Sequence, residues 1–89
     1  MIKRIVELLP GDEANMAGQK AVVVSVTTPH PKYGGFTMVV WLFPEGHPLG
    51  LRGSVDALSP WMEVTDVKVQ TDMQRFETLC KAVQGEEGT

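Results

Sequence analysis

The sequence predicts a mainly β protein: a small five-stranded antiparallel barrel with one C-terminal α-helix. Three observations predict it. Between Lys20 and Val69, apolar runs alternate with stretches dense in Pro and Gly, reading KAVVVSVT, TPHPKYGG, FTMVVWLF, PEGHPLGLRG and SVDALSPWMEVTDVKV. That is the rhythm of short strands joined by turns. The runs at 20–27 and 36–43 are built from β-branched and aromatic residues, which suit a pleated, half-buried surface. After residue 70 the apolar spacing changes from that of a strand to that of a helix.

The elements follow in order. Ile2, Ile5, Val6 and Leu9 would share a helix face, but the stretch is short and ends at Pro10-Gly11, so a first strand over 2–9 is preferred. Residues 10–18 read as a polar loop with Asp12, Glu13 and Asn15 solvated. In the strand over 20–27, Val22, Val24 and Val26 line one face and Val23, Ser25 and Thr27 the other. Residues 28–35 form a loop. The strand over 36–43 is apolar on both sides, with Phe36, Met38, Val40 and Leu42 against Val39, Trp41 and Phe43, so it is central or covered. After a loop over 44–53, a short strand over 52–56 leads into a single 3₁₀ turn over 57–61, where Pro60 blocks the ladder. The last strand is 62–69.

Thr71 and Gln74 stand three apart, as in a capping box: the Thr71 hydroxyl accepts from a first-turn N–H and Gln74 reaches back. Met73, Phe76, Leu79, Cys80 and Val83 then make an amphipathic helix, 71–84 with its cap, that Gly85 stops. Residues 85–89 should fray. The whole of 1–89 is one domain, with the barrel over 2–69.

Composition bounds the function classes. A chain of 89 residues buries only about 60–65% of its unfolded surface, so its core must be efficient or a partner must cover part of it. The net charge of −3, with its cations scattered among acids, gives no electrostatic footprint for nucleic acid. The single cysteine, Cys80, excludes an internal disulfide and a Cys-rich zinc site, and fits a reducing compartment. Glu7 and Pro10 interrupt the N-terminal apolar run, so no signal peptide is expected, and no stretch approaches the ~20 apolar residues of a membrane span. The expectation is a cytoplasmic protein without cofactor or metal.

The strand pattern of Val22 to Val26, Met38 to Leu42, Val55, the Ala57-Leu58-Ser59-Pro60 turn and Met62 to Val64 resembles the Src-homology-3-like barrel, with Gly11-Asp12 standing where that fold's long first loop begins. The resemblance spans 2–69 and leaves the helix as an addition. It implies a fold and no activity. Peptide-binding members carry an Ala-Leu-Tyr-Asp-Tyr run and a paired Trp-Trp, neither present here. Plasmid-borne dihydrofolate reductases on this barrel carry Val-Gln-Ile-Tyr, which Val69-Gln70-Thr71 does not reproduce. The nucleic-acid-associated, KOW-type members use a basic glycine-centred loop, and 10–18 here is acidic.

Candidate chemistry is sparse. His30 and His47 each precede a proline in loops that flank the strand 36–43, whose ends lie roughly 25 Å apart at ~3.3 Å per residue, too far to share a metal within one chain. Cys80 lies on the apolar stripe of the helix and reads as core. Ser54 and Asp56 share a strand face with no base in reach, so they read as the solvated face of an edge strand. Gly34-Gly35 and Gly50 with Gly53 are turn glycines, since neither pair opens a helix.

Trp61 is expected to close one end of the barrel. Trp41 and Phe43 point away from the Phe36 set and are covered by the helix through Phe76 and Leu79, or form a patch for a partner. The Pro/Gly loops are the best binding surface, with Tyr33 from one and His47, Leu49, Leu51 and Arg52 from the other. The reading is therefore a non-enzymatic interaction or self-assembly module that binds another protein or itself through Tyr33, Trp41, Phe43, His47, Leu49, Leu51 and Arg52. Its small acidic chain looks like accessory proteins of phages and other mobile elements. The alternatives are a nucleic-acid-associated barrel and an oligomeric enzyme with its site between subunits.

Overall fold

The computed structural model describes residues 1–84, the side chain of Tyr33 excepted. The elements are β1 (Lys3–Arg4), a 3₁₀ turn (Ile5–Glu7), β2 (Glu13–Met16), β3 (Gln19–Val26), a second 3₁₀ turn (Pro31–Tyr33), β4 (Thr37–Leu42), β5 (Gly53–Leu58), β6 (Glu63–Val64) and α1 (Asp72–Gln84). Strands β2 to β5 form a four-stranded antiparallel meander, and β1 pairs with β6 in a separate two-stranded sheet. The two sheets are stitched by Asn15 N–H to Thr65 O (3.0 Å) and Lys68 N–H to Glu13 O (3.0 Å).

The barrel expected from the sequence does not close: among the described residues no ladder joins β5 back to β1. Two local causes are visible. The chain turns into a 3₁₀ turn at Ile5, so the strand expected over 2–9 lasts two residues. At the other end Asp66 takes a left-handed conformation (φ 58°), which bends the chain and stops the strand expected over 62–69 at Val64.

Three further elements differ from expectation. The loop expected over 10–18 contains β2, which turns into β3 through Ala17 and Gly18, both at positive φ (54° and 83°), with the Asn15 side chain accepting from Gly18 N–H at 2.9 Å. Paired positive φ is the geometry that matches a hairpin's twist. Strand β5 runs on through Leu58, and a turn closed by Met62 N–H to Ser59 O (3.1 Å) replaces the expected 3₁₀ turn. Asp12, expected in solvent, is fully buried.

The core lies between the inner face of the meander and the β1–β6 layer, and includes Ile5, Ala21, Val23, Val39, Trp41 and Val64. In β4, Thr37, Val39 and Trp41 are the buried set and Met38, Val40 and Leu42 face outward. Trp41 and Phe43 therefore face the core, with no patch left at Trp41: Trp41 is 1% exposed. Trp61 does the reverse. In the turn the buried residue is Pro60, while Trp61 is 66% exposed and carries the Arg4 guanidinium 5.6 Å from its ring.

A bulge at Val24 shifts the β3–β4 register between Val23 and Ser25. One extra residue reverses which face later side chains take. Val26 thus pairs with Val39 and joins the core, while Ser25 pairs with outward-facing Val40.

Helix α1 begins as the sequence predicts. Gln74 N–H donates to Thr71 Oγ1 at 3.1 Å, and Thr71 N–H donates to Gln74 Oε1 at 2.9 Å. It packs against β3 on the outer side of the sheet, where Val22 is buried. The face it turns inward carries Arg75, Thr78, Leu79 and Ala82, not the Met73–Phe76–Val83 stripe. Polar bonds anchor it: Gln70 Nε2 donates to Gly11 O (3.1 Å), Thr78 Oγ1 to Gln70 Oε1 (2.7 Å), and Arg75 Nη1 to Gln70 O (2.9 Å). Gly85, expected to stop the helix, and the tail 85–89 lie outside the described residues.

Candidate functional site

An open groove of about 700 Å³ runs across the outer side of the sheet. Its floor is Val24 on the bulge of β3 with Val40 and Leu42 of β4, the loop 43–52 forms one wall, and Ala82 and Val83 of α1 form the other. The bulge and the inversion of β4 together create that floor. Had β4 presented Trp41 here, an indole would have filled the space.

The loop wall is built by turns. Gly46 N–H donates to Phe43 O (3.0 Å) and Gly50 N–H to His47 O (2.7 Å). His47 Nδ1 accepts from Leu49 N–H at 3.1 Å, which leaves the ring proton on Nε2. The ring also rests on Phe43, with centroids 4.8 Å apart at 49°. His47 is thus a loop-building residue with one nitrogen already used. Where the loop meets β5, a Cβ on Gly53 would meet the Trp41 carbonyl oxygen at 2.5 Å, so the two backbones approach as only glycine permits.

No family model, no curated protein and no solved structure matches the chain. Among the described residues the groove's lining is mostly aliphatic, and its charged or titratable members are Arg52 and His47.

Four of the residues expected to bind converge here: Phe43, His47, Leu51 and Arg52. Leu49 stands on the same loop, 79% exposed. Trp41 is excluded by its burial on the opposite side of the sheet. Tyr33 ends the 3₁₀ turn between β3 and β4, and its side chain lies outside the described set. Sequence reasoning missed Val24, Val40, Leu42, Ala82 and Val83 as lining residues. Their shared face depends on a bulge and on which side of α1 docks, and neither leaves a pattern in the sequence.

The other candidates have structural work. His30 Nδ1 accepts from Lys32 N–H at 2.9 Å and caps the second 3₁₀ turn. Ser54 Oγ donates to Asp56 Oδ2 at 3.2 Å on the edge strand β5. Cys80 is half-buried on α1. Among the described residues no group of three or more His, Cys, Asp or Glu side chains is placed to hold a metal ion, and no helix is long and apolar enough to cross a membrane.

Asp12 forms the main buried charge site. Its Oδ2 accepts from Leu9 N–H at 2.8 Å and lies 3.8 Å from Lys3 Nζ, while Oδ1 lies 4.0 Å from Arg75 Nη1 and has no hydrogen-bond partner. It ties β1, the start of β2 and α1 together. A buried carboxylate held between two cations serves here as a clasp.

Proposed function

We propose that the protein is a non-enzymatic interaction module that docks a protein surface on the groove and on the exposed face of α1. The observation that carries this reading is the continuity of the two. Val83 lines the groove and is 62% exposed, and from it Phe76 and Met73 extend the apolar face along the helix at 63% and 66% exposure. Leu49 and Leu51 extend it on the loop side. Monomers rarely expose contiguous apolar patches beyond a few hundred Å², and larger ones mark interaction sites. The chain path supports treating the fold as an open variant of the Src-homology-3-like barrel, since β3, β4 and β5 meander while the end strands β1 and β6 pair.

The test is capture of binding proteins by the wild-type chain and by a Leu49→Asp, Leu51→Asp variant, with nuclease present. Both leucines are exposed, so the variant should fold as the wild type does. Nuclease-resistant capture by the wild type alone supports the reading. Equal capture by both removes the loop from the site, and capture that vanishes with nuclease replaces the reading with a nucleic-acid one.

A further inference from the structure

The two borders of the meander differ. At β2, Asn15 bridges to Thr65 and Lys68 N–H donates to Glu13 O (3.0 Å), so the chain around β6 closes that border. At β5 no strand lies on the far side among the described residues. The register fixes which groups are left there. Phe43 N–H donates to Arg52 O, and β5 then bonds to β4 through Ser54, Asp56 and Leu58, so the N–H and C=O of Gly53, Val55 and Ala57 point away from β4. Those groups meet no partner among the described residues. The β5 side chains divide by face. Val55 and Ala57 are exposed on the outer side, Val55 by 61%. Ser54, Asp56 and Leu58 are half-buried on the inner side, where Leu58 packs against the core. Asp56 accepts from Ser54 Oγ at 3.2 Å and makes no ion pair among the described residues.

We infer that β5 takes an extended segment of another protein as an added antiparallel strand, and that this segment carries a lysine or arginine where it faces Asp56 and an apolar residue where it faces Val55. In strand addition the main-chain bonds supply affinity and alternate side chains supply specificity. Residues directly opposite one another on paired strands stand about 5 Å apart at Cβ, so opposite charges there are favourable and like charges are not. An apolar residue facing Asp56 would take water from the carboxylate and return nothing. A lysine or arginine lays its stem along the inner face beside Leu58 and brings its charged head to Asp56.

A second copy of the chain does not meet these terms through its own β5. That strand reads Gly-Ser-Val-Asp-Ala-Leu and contains no cation. Paired with itself about a two-fold axis at Val55, it would bring two Asp56 carboxylates to one inner face with nothing to balance them.

Fluorescence anisotropy of short labelled peptides, titrated with the full chain, tests the inference. The probes share a β-branched frame and differ only at the central residue, which is Lys, Arg, Leu or Glu. The Lys and Arg peptides should bind, the Leu peptide several-fold more weakly and the Glu peptide not at all, and Asp56→Lys should turn the preference toward Glu. The residues flanking the centre face Val55 and Ala57, so their N-methylation should abolish binding, whereas N-methylation of the central residue should not. Amide exchange at Val55 and Ala57 should slow at saturation. Val55→Pro removes an N–H that the β4 ladder does not use, so it should lose the peptide and keep the melting temperature. No binding at millimolar concentration overturns the inference, as does binding indifferent to the central charge or to the flanking N-methyl groups. The Leu49→Asp, Leu51→Asp variant should bind the peptide as the wild type does. Loss of binding there places the peptide in the groove, which overturns the inference and leaves the groove reading standing. If sedimentation equilibrium shows a dimer that Val55→Pro dissociates, the occupant is a second copy and the inference falls.

Discussion

Gly11 lies directly against the backbone of Arg75: a Cβ at position 11 would overlap the Arg75 carbonyl, and Gly11 itself sits at φ +91°. The start of the sheet and the C-terminal helix therefore meet here through a residue without a side chain. Gln70 Nε2 bonds to the Gly11 carbonyl beside it, so the contact is fixed on both sides.

Gly11→Ala should cost about 2–5 kcal/mol, combining left-handed strain with overpacking against α1. Urea unfolding measures it. A loss below about 0.5 kcal/mol would show that α1 can lift from the sheet freely, because that is the only way the added methyl finds room.

The Asp12 clasp predicts an order among its cations. Asp12 Oδ2 is already bonded to Leu9 N–H and faces Lys3, whereas Oδ1 has only Arg75 near it. Arg75→Met should therefore destabilise more than Lys3→Met, approaching the ~3–5 kcal/mol seen when one member of a buried pair is removed. The Arg75 side chain is 15% exposed and that of Lys3 24%, which sets the same order. Equal losses in chemical denaturation would mean that water, and not Arg75, balances Oδ1.

The two tryptophans should separate cleanly. Trp41→Ala removes a fully buried indole and should cost about 3–5 kcal/mol, enough to unfold a domain of this size. Trp61→Ala removes an exposed ring over which Arg4 rests, worth about 0.5–1 kcal/mol. Thermal melts of the two variants check this, and a large loss at Trp61 would contradict its placement outside the core.

That pair also shows what the sequence could and could not convey. The strands at 19–26 and 37–42 and the helix with its Thr71–Gln74 box were legible because each rests on local chemistry: β-branched runs, turn residues, a cap. The facing of β4 was not legible. Phe36, Met38, Val40 and Leu42 are as apolar as Val39, Trp41 and Phe43, so alternation has no polar side to mark solvent. The helix misled for a related reason. Its apolar stripe is real, but docking is decided by Arg75 reaching buried Asp12 and by Gln70 reaching the Gly11 carbonyl, polar contacts between residues far apart in sequence. His47, Leu51 and Arg52 were singled out because Leu49 and Leu51 form an apolar pair in a turn-rich loop, and Phe43 because it alternates with the outward set on the strand 36–43. The floor beneath them needed the Val24 bulge, which no composition signals.

Among the described residues, β5 is an edge strand of the meander. Phe43 N–H donates to Arg52 O, and the register continues through Trp41–Ser54, Val39–Asp56 and Thr37–Leu58. The backbone groups of Val55 and Ala57, which alternate with these, point away from β4 toward an open edge. Such an edge invites pairing with another chain unless something opposes it. Asp56 stands opposite Val39 on the inner face, half-buried and bonded by Ser54, so a strand added at this edge would have to take a carboxylate into its own apolar side. Asp56→Val should therefore leave the melting temperature unchanged or raise it, yet increase light scattering and amyloid-dye binding on incubation at matched concentration. Asp56→Lys, which keeps a charge there, should stay as dispersed as the wild type. If Asp56→Val remains dispersed as well, the edge is shielded by something other than this carboxylate.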